Sequence, residues 1–479
     1  MAMPSIKIKI NIIIPIVILY TLYLLGFFLN EDSNGGATMD YIGYRTIIYD
    51  FILNFKYTFL NFDQYGERHP PTLIIILSFL YKLNFEDNTI RFVSLNLSII
   101  SVIFFYKCLV IKFRDIDKKI LVLISAIFLL SPTFRSLSIW PDGRIYGFHF
   151  FVISTFFYLR FIHEEKKNYY CYLNIIFLAI SSYFSPNFSL FSIFFLYQFY
   201  RHLKISKEIL ICIILNLILA FPAFYYLFVL DVFFLSSGDV PGSEIISKSG
   251  LPIQYNISNK ILIITSIMMF YFIPIILIKK KLFIYDNHIQ LKKILVLTLF
   301  FLIMVYEFNY DLNFTGGGIF LHLSHILFGN NMIFYSISFF SIFFIFRICG
   351  FRYENFFIIL IIFLSNPQLS IYHKYYDPLI TFLIFTLIDI NLKKSFFSYK
   401  NILIIYLFHV CFLGLGLLKG NNIQNTGGEA IIAKINMTTT NLELGNSTAN
   451  ANIIVNKSGN NLAGNKIILN LSSGTYPLN

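Results

Sequence analysis

Long apolar runs alternate with short polar segments from about residue 11 to residue 419. A helix needs about 20 apolar residues to cross a bilayer. The runs are continuous, whereas the strands of a membrane barrel read as short segments of alternating hydrophobicity. Since only helices and closed barrels satisfy the backbone in lipid, the pattern predicts an all-α polytopic membrane protein.

The first long polar interruption covers residues 30–90 and contains two apolar stretches, 41–62 and 72–85. We expect both to lie in the membrane interface as amphipathic helices, because charges interrupt them or they are short for a crossing. If 72–85 crossed the bilayer, the basic segment Lys112–Lys119 would lie outside, against the cytoplasmic preference of Lys and Arg. About 13 transmembrane helices follow from this choice, at 11–29, 91–111, 120–139, 145–162, 169–185, 187–201, 208–231, 259–278, 294–306, 319–346, 355–371, 379–391 and 401–419.

Lys7 and Lys9 place the N-terminus in the cytoplasm, and the first run reads as an uncleaved helix rather than a signal peptide. Residues 1–419 then form the membrane domain, with 30–90 as its first extracytoplasmic loop. The turn-rich loop 232–258 is a candidate mobile lid. Residues 420–479 are rich in Asn, Thr and Gly and are expected to form a small β-like outer tail.

Composition supports this class: 57% of residues are hydrophobic and 13% are charged, against about 25% charged in soluble domains. The net charge of +12 is gathered in the short loops predicted to be cytoplasmic, which argues against a nucleic-acid partner. The five cysteines are isolated in or beside apolar segments, and we interpret them as small buried hydrophobes. They are Cys108, Cys171, Cys212, Cys349 and Cys411.

Eight of the 25 acidic residues fall in the first outer loop, although a membrane protein with so few charges has no packing reason to gather them there. They are Glu31, Asp32, Asp40, Asp50, Asp63, Glu67, Glu86 and Asp87. In Glu67-Arg68-His69-Pro70-Pro71 the two prolines fix a turn that is a rigid mount for reactive side chains. The alternative for each acid is a solvated loop position, and for Pro70-Pro71 the start of an interfacial helix.

Two more polar groups are predicted at outer helix ends: Asp142 and Arg144 after Trp140-Pro141, and the segment Tyr372–Pro378 with His373 and Lys374. The first pair is either functional or a local ion pair. The second segment either binds a lipid phosphate or anchors the chain at the interface. His322 and His325 are expected to pack through hydrogen bonds, and His149 to be a core histidine with a backbone partner.

The order of these features resembles the GT-C superfamily, in particular protein O-mannosyltransferases and lipid A aminoarabinose transferases. That family has one helix leading outward, then a large outer loop with an acidic residue and a Tyr one turn later, matched here by Asp40 and Tyr44. About thirty residues later comes a Glu-x-His/Lys-Pro-Pro-Leu-like signature, matched by Glu67, His69, Pro70 and Pro71. Later come Arg91, the basic turn Lys112–Lys119 and Trp140-Pro141-Asp142, so that the resemblance covers about residues 8–200.

The resemblance implies a glycosyltransferase of the bacterial cytoplasmic membrane with an extracytoplasmic active site. Its donor would be a polyprenyl-phosphate-linked sugar, and its acceptor a lipid, a glycan or a protein. Such transfer needs a base for the acceptor hydroxyl and positive charge at the departing phosphate. Asp40 is the predicted base, with Glu31 and Asp32 as rivals, and Glu67 and Asp142 are further catalytic carboxylates.

Predicted substrate-binding residues are Tyr44, Arg68, His69, Arg144, His373 and Lys374. His69 is expected to contact phosphate or to ligate a divalent metal ion with Asp40 and Glu67. Two other functions remain open. An O-antigen-type polymerase should have Arg-rich late outer loops, which are short and Arg-poor here. A lipid-linked glycan transporter or flippase should have ionisable residues in mid-helix, and most spans have none.

Overall fold

The computed structural model describes residues 12–65, 67, 69–164, 167–230, 256–278, 291–310, 316–348, 352–367, 370–390 and 392–426, and short strands in the tail. The predicted lid, Arg68, Cys349, Lys7 and Lys9 lie wholly or largely outside these residues. The helices of the first half are α1 Ile13–Phe28, α2 Ala37–Leu53, α3 Phe55–Leu60, α4 Thr72–Lys82, α5 Asp87–Leu97, α6 Ile99–Lys112, α7 Lys118–Ala126, α8 Pro132–Ile139, α9 Gly143–His163 and α10 Tyr169–Phe184. Those of the second half are α11 Phe191–Leu203, α12 Lys207–Phe228, α13 Ile257–Ile278, α14 Leu291–Glu307, α15 Gly318–Phe328, α16 Met332–Ile348, α17 Tyr353–Leu364, α18 Leu379–Phe385 and α19 Tyr399–Thr426.

The chain is a helical protein of multi-pass membrane character. Among the residues that the structure describes, five helical segments are long and apolar enough to cross a bilayer: Asp87–Lys112, Gly143–His163, Lys207–Phe228, Ile257–Ile278 and Tyr399–Leu418. A sixth is the pair α7 and α8, which is bent by 65° at the break before Pro132. Seven shorter apolar helices of 10–17 residues accompany them, so the count of about 13 spans stays a prediction.

Several predicted spans besides 120–139 have different bounds in the structure. Residues 319–346 form two helices, because Gly329 adopts φ +65° and ends α15 with a left-handed residue. The segment 379–391 contains only the seven residues of α18, too few to cross a bilayer. The predicted helix 187–201 begins at Phe191, after a short 3-10 turn over Pro186–Phe188.

Close backbone contacts hold the centre of the bundle together. The Ser181 hydroxyl on α10 donates to the Gly147 carbonyl on α9 at 2.6 Å. His149 is buried in α9 as predicted, but its partner is the Ser101 hydroxyl of α6 at 2.6 Å rather than a backbone group. Cys108, Cys171 and Cys212 are buried as predicted, whereas Cys411 is exposed. The bonds of Ser181 and His149 thus join α9 to both α10 and α6.

α8 is buried along its whole length. Ser131 caps its first turn by accepting from the Phe134 N–H at 3.0 Å, with Pro132 at the first helical position. Arg135 in the middle of α8 pairs with Glu31 in the loop that follows α1. α8 therefore joins the start of that loop to the turn Trp140–Asp142.

Short antiparallel strands pair in the tail: β1 Asn441–Glu443 with β6 Thr475–Pro477, β2 Asn450–Ile453 with β5 Ile467–Asn470, and β3 Asn456–Lys457 with β4 Asn460–Asn461. The division of the chain into a membrane domain and an outer module stays a prediction.

Candidate active site

Glu31 and Asp32, the first two acids after α1, form hydrogen bonds that stabilise the loop in which they lie. Both oxygens of the buried Asp32 carboxylate accept backbone N–H groups, from Gly35, Gly36, Ala37 and Thr38 at 3.0–3.2 Å. These bonds satisfy the N–H groups at the start of α2 that have no partner within the helix. Asp32 therefore fixes the position of α2, on which Asp40 and Tyr44 lie.

Glu31 is equally engaged. Its carboxylate accepts from Arg135 Nε at 2.8 and 3.0 Å and from Nη2 at 2.5 Å, and from the Ser33 hydroxyl at 2.7 Å. The side chains of Glu31 and Arg135 are 3% and 5% exposed. Of the two rivals to Asp40, one thus holds the loop to α8 and the other caps α2.

Asp40 meets two cations from distant parts of the chain. Its Oδ2 lies 2.8 Å from Arg144 Nη2 and 3.1 Å from Lys374 Nζ, and its side chain is 37% exposed. Lys374 belongs to the 3-10 helix His373–Tyr375, between α17 and α18. Three segments separated by up to 334 positions therefore converge on one carboxylate.

Asp142 is the second acid at Arg144. Its Oδ1 accepts from the Arg144 backbone N–H at 2.7 Å and from Nε at 3.0 Å, and its Oδ2 lies 2.9 Å from Nη2. Asp142 is the N-cap of α9 and is 1% exposed. Arg144 is thus aligned between two carboxylates, in the paired geometry that a guanidinium favours.

The electrostatics of the site follow from these contacts. Burial disfavours the ionised forms of Asp40 and Asp142, but neighbouring cations outweigh it. Lys374 and then Arg144 hold the pKa of Asp40 below its ordinary value. Arg144, with a smaller contribution from His69, holds the pKa of Asp142 far below its usual range. Burial, and then Arg144, lower the pKa of Lys374, while Asp40 opposes that change.

Tyr44, Glu67 and His69 lie beside this group. Tyr44 is buried on α2, and burial followed by the charges of Asp142, Glu67 and Asp40 raises the pKa of its phenol. The His69 ring lies close to the start of α9, since a Cβ placed on Gly143 would be 3.4 Å from it. A glycine at position 143 therefore allows the turn before Pro70 to approach Asp142.

Of the nine predicted site residues, the structure brings seven into one region: Asp40, Tyr44, Glu67, His69, Asp142, Arg144 and Lys374. Arg68 lies outside the described residues. His373 points away towards α13, where its Nε2 is 2.8 Å from the Tyr271 hydroxyl. His322 contacts the Gly316 carbonyl and His325 contacts Asn331, so both make the local hydrogen bonds expected of packing residues.

The metal ion predicted at Asp40, Glu67 and His69 stays a prediction. In the described part of the chain no group of three or more His, Cys, Asp or Glu side chains is arranged to hold a metal ion. Asp40 instead contacts two cationic side chains through one oxygen. Arg144 and Lys374 are thus the positive groups that the described residues place at the site.

A small cavity of about 40 Å³ has both cations in its wall. Arg144, Lys374, Asp377 and several hydroxyl and amide residues line it together with apolar residues such as Leu137, Ile145 and Phe148. Sequence reasoning missed Asp377, although it stands in the polar segment Tyr372–Pro378. A buried acid next to a predicted phosphate-binding Lys was the available signal.

A larger, mainly apolar groove of about 230 Å³ runs between α10 and α12. Its lining includes Leu178, Tyr183, Leu219 and Ala220, and it reaches Pro70, the residue after His69. One end of an apolar groove therefore lies next to the charged group.

No family model, no curated protein and no solved structure matches this chain.

Proposed function

We propose that this protein is a membrane glycosyltransferase of GT-C type. It moves a sugar from a polyprenyl-phosphate donor to an acceptor at the outer face of the bacterial cytoplasmic membrane. The observation that carries the proposal is the convergence of Asp40, Arg144 and Lys374 at the outer helix ends, beside Asp142 and His69. In the proposed topology, about 13 helices cross the membrane and the N-terminus is cytoplasmic.

In the proposed reaction, Arg144 and Lys374 bind the donor phosphate and stabilise the charge that develops as it departs. Asp40 takes the proton of the acceptor hydroxyl during its attack on the anomeric carbon. Without donor, both cations contact Asp40 Oδ2. A bound phosphate competes for them, so Asp40 becomes a stronger base when the donor is in place.

The groove between α10 and α12 suits the lipid part of the donor. Its apolar lining and its position beside Pro70 allow a polyprenyl chain to lie between the helices while the phosphate reaches the charged group. Exposed apolar side chains on α12, such as Leu217 and Phe221, give the chain access from the lipid phase.

The test is sugar transfer from radiolabelled polyprenyl-phosphate sugars in membranes that contain the full chain. Asp40→Asn is expected to lower kcat about 10²–10⁴-fold, the usual contribution of a general base. Asp63→Asn is the matched control, because Asp63 is an exposed acid of the same loop. Unchanged transfer with Asp40→Asn would contradict the role of Asp40.

The same assay with EDTA tests the metal requirement. Transfer that persists in EDTA is expected if Arg144 and Lys374 supply the positive charge, and loss that Mn²⁺ or Mg²⁺ restores would contradict this. Absence of transfer from every donor by folded wild-type protein would contradict the proposed function. The transporter would then be the function to test, by lipid-linked sugar translocation.

A further inference from the structure

Asp377 is a second acid of this region, to which the proposed reaction gives no role. It follows the 3-10 helix His373–Tyr375 and is 4% exposed. Asp377 lines the small cavity together with Arg144 and Lys374, the two cations that contact Asp40. A phosphate bound by these cations is therefore within the same small space as Asp377.

The two oxygens of Asp377 differ. Oδ2 accepts from the Ser131 hydroxyl at 2.6 Å and from the Thr133 backbone N–H at 3.1 Å. Oδ1 is buried and makes no hydrogen bond of ordinary geometry within the described residues, although the Tyr271 hydroxyl lies near the carboxyl. A buried, unsatisfied oxygen is costly in an ionised carboxylate, so this environment favours a proton on Oδ1.

Asp377 and Asp40 also differ in the groups that surround their carboxyls. Burial raises the pKa of Asp377, although the contacts with Ser131, Thr133 and Tyr271 oppose the change. The titratable and charged groups around it are Tyr271 on α13 and the cavity-lining Arg144, Lys374 and Tyr375. The pKa of Asp40 is shifted in the opposite direction. Two carboxyl groups whose environments separate their pKa values are the usual pattern of an acid and a base in one site.

We propose that Asp377 is the general acid of the transfer reaction, an inference that rests on the proposed function. As the bond between the anomeric carbon and the phosphate oxygen breaks, its electron pair remains on that oxygen. The oxygen takes the proton from Asp377 Oδ1. The acceptor oxygen forms the new bond to the anomeric carbon, and its proton passes to Asp40. One proton is thus delivered and one is taken up in each transfer.

Tyr271 and His373 provide a path for returning the proton to Asp377. The Tyr271 hydroxyl is 2.8 Å from His373 Nε2 and lies close enough to Asp377 to act on its carboxyl. His373 is partly exposed. Nδ1 of His373 is buried, so the proton of this path is carried on Nε2, from which it passes to Tyr271, whose own proton moves to Asp377.

The cavity also limits what Asp377 can contact. A volume of about 40 Å³ is room for about three water molecules. This is enough for the oxygens of one phosphate group and too small for a sugar ring. The group that meets Asp377 is therefore the phosphate end of the donor rather than the sugar or the acceptor.

The experiment compares Asp377→Asn with Ser131→Ala in the full chain, measuring transfer from a polyprenyl-phosphate sugar across the pH range in which wild type is active. Asp377→Asn keeps the side-chain shape and a hydrogen-bond donor, so we expect KM for the donor to change little. We expect kcat to fall about 10²-fold and the decline of wild-type kcat at high pH to disappear. Ser131→Ala removes a bond that favours the ionised acid, so its decline at high pH should move to higher pH.

Wild-type kcat and an unchanged pH profile in Asp377→Asn would overturn the proposal. Equal losses in both variants with no change in pH profile would also overturn it, since that result indicates a purely structural role at α8. If Asp377→Asn does not fold, Tyr271→Phe replaces it, and loss of kcat at high pH that buffer acids restore would support the path. Transfer by wild type separates these results from failure of the proposed function itself.

Discussion

At the scale of single residues, the paired ions of the outer loop divide into two kinds. Glu31 and Arg135 are buried and bonded through both carboxylate oxygens. Arg144 and Lys374 contact an Asp40 that is 37% exposed and therefore reachable by a ligand. The first pair holds the loop in place, and the second group is the one that the proposed reaction uses to bind the donor phosphate.

Glu31→Gln is expected to destabilise the protein by about 3–5 kcal/mol, because it leaves the buried Arg135 charge without its counter-ion. Glu164→Gln is the control. It breaks a pair with Arg160 in which both side chains are about one third exposed, and it should cost less than about 1 kcal/mol. Thermal unfolding in one detergent measures both. Equal effects would contradict the structural role of Glu31.

Lys374→Met is expected to raise the pKa of Asp40, since Lys374 makes the largest attractive contribution to the ionised form. As the pH falls, a base with a higher pKa becomes protonated at a higher pH, and the protonated base is inactive. The acid side of the kcat/KM profile should therefore move to higher pH, and KM for the donor should rise. Lys394→Met, at an exposed position, is the control. An acid side that does not move would contradict the pairing.

Sequence reasoning at this scale identified residue types but not their partners. Asp40 and Lys374 were each predicted, yet their contact across 334 positions depends on tertiary packing that no local pattern encodes. His373 was assigned to the same site because it precedes Lys374. Neighbouring side chains in a 3-10 turn point in different directions, and His373 contacts Tyr271 instead.

At the scale of elements, the approach of α9 to α10 sets the position of Asp142 and Arg144. A Cβ on Gly147 would lie 2.7 Å from Ser185 Cβ and 3.1 Å from the Ser181 carbonyl. Gly147→Val should therefore separate the helices, lower stability by about 1–3 kcal/mol, and reduce transfer by moving Arg144 away from Asp40.

Gly43→Ala is the matched control, because nothing lies within 4 Å of a Cβ at that position. It should leave transfer unchanged and stabilise α2 slightly through the higher helix propensity of Ala. Unfolding curves and initial transfer rates test both variants. A harmless Gly147→Val would show that the two helices tolerate a wider spacing.

Hydrophobic runs predicted which segments are helical better than they predicted where the helices break. The run 120–139 reads as one span, but Ser131-Pro132 divides it and α8 turns by 65°. Run 319–346 is also not a single span, because a left-handed glycine, Gly329, ends its first helix. Run 379–391 contains a helix of only seven residues. A hydrophobic run indicates that a segment lies in apolar surroundings. A bent, buried segment gives the same run as a straight span, so hydropathy does not distinguish the two.

At the scale of the whole molecule, the charged group and the apolar groove are adjacent. The groove ends at Pro70, His69 precedes it, and the His69 ring lies close to α9, whose N-cap is Asp142. The sequence indicated a loop rich in acids, and the GT-C resemblance implied a lipid-linked donor, but neither identified the helices that would hold the lipid in the proposed function. Their choice depends on the spacing of α10 and α12, which packing determines.

This adjacency gives a prediction about chain length. Ala220→Phe fills the groove from its wall on α12, whereas Ile218→Phe adds bulk at a position that is 61% exposed. Displacing about two buried CH₂ groups of the donor costs about 1.6 kcal/mol, so Ala220→Phe should lower kcat/KM for a long-chain donor about tenfold.

A donor with a single isoprene unit does not extend along the groove, so Ala220→Phe should leave its kcat/KM within about twofold of wild type. Measuring both donors in both variants separates the lipid site from the charged group, since damage at Asp40 or Arg144 lowers transfer from long and short donors alike. A long-chain effect of Ile218→Phe equal to that of Ala220→Phe would place the polyprenyl chain on the outer surface of α12 instead.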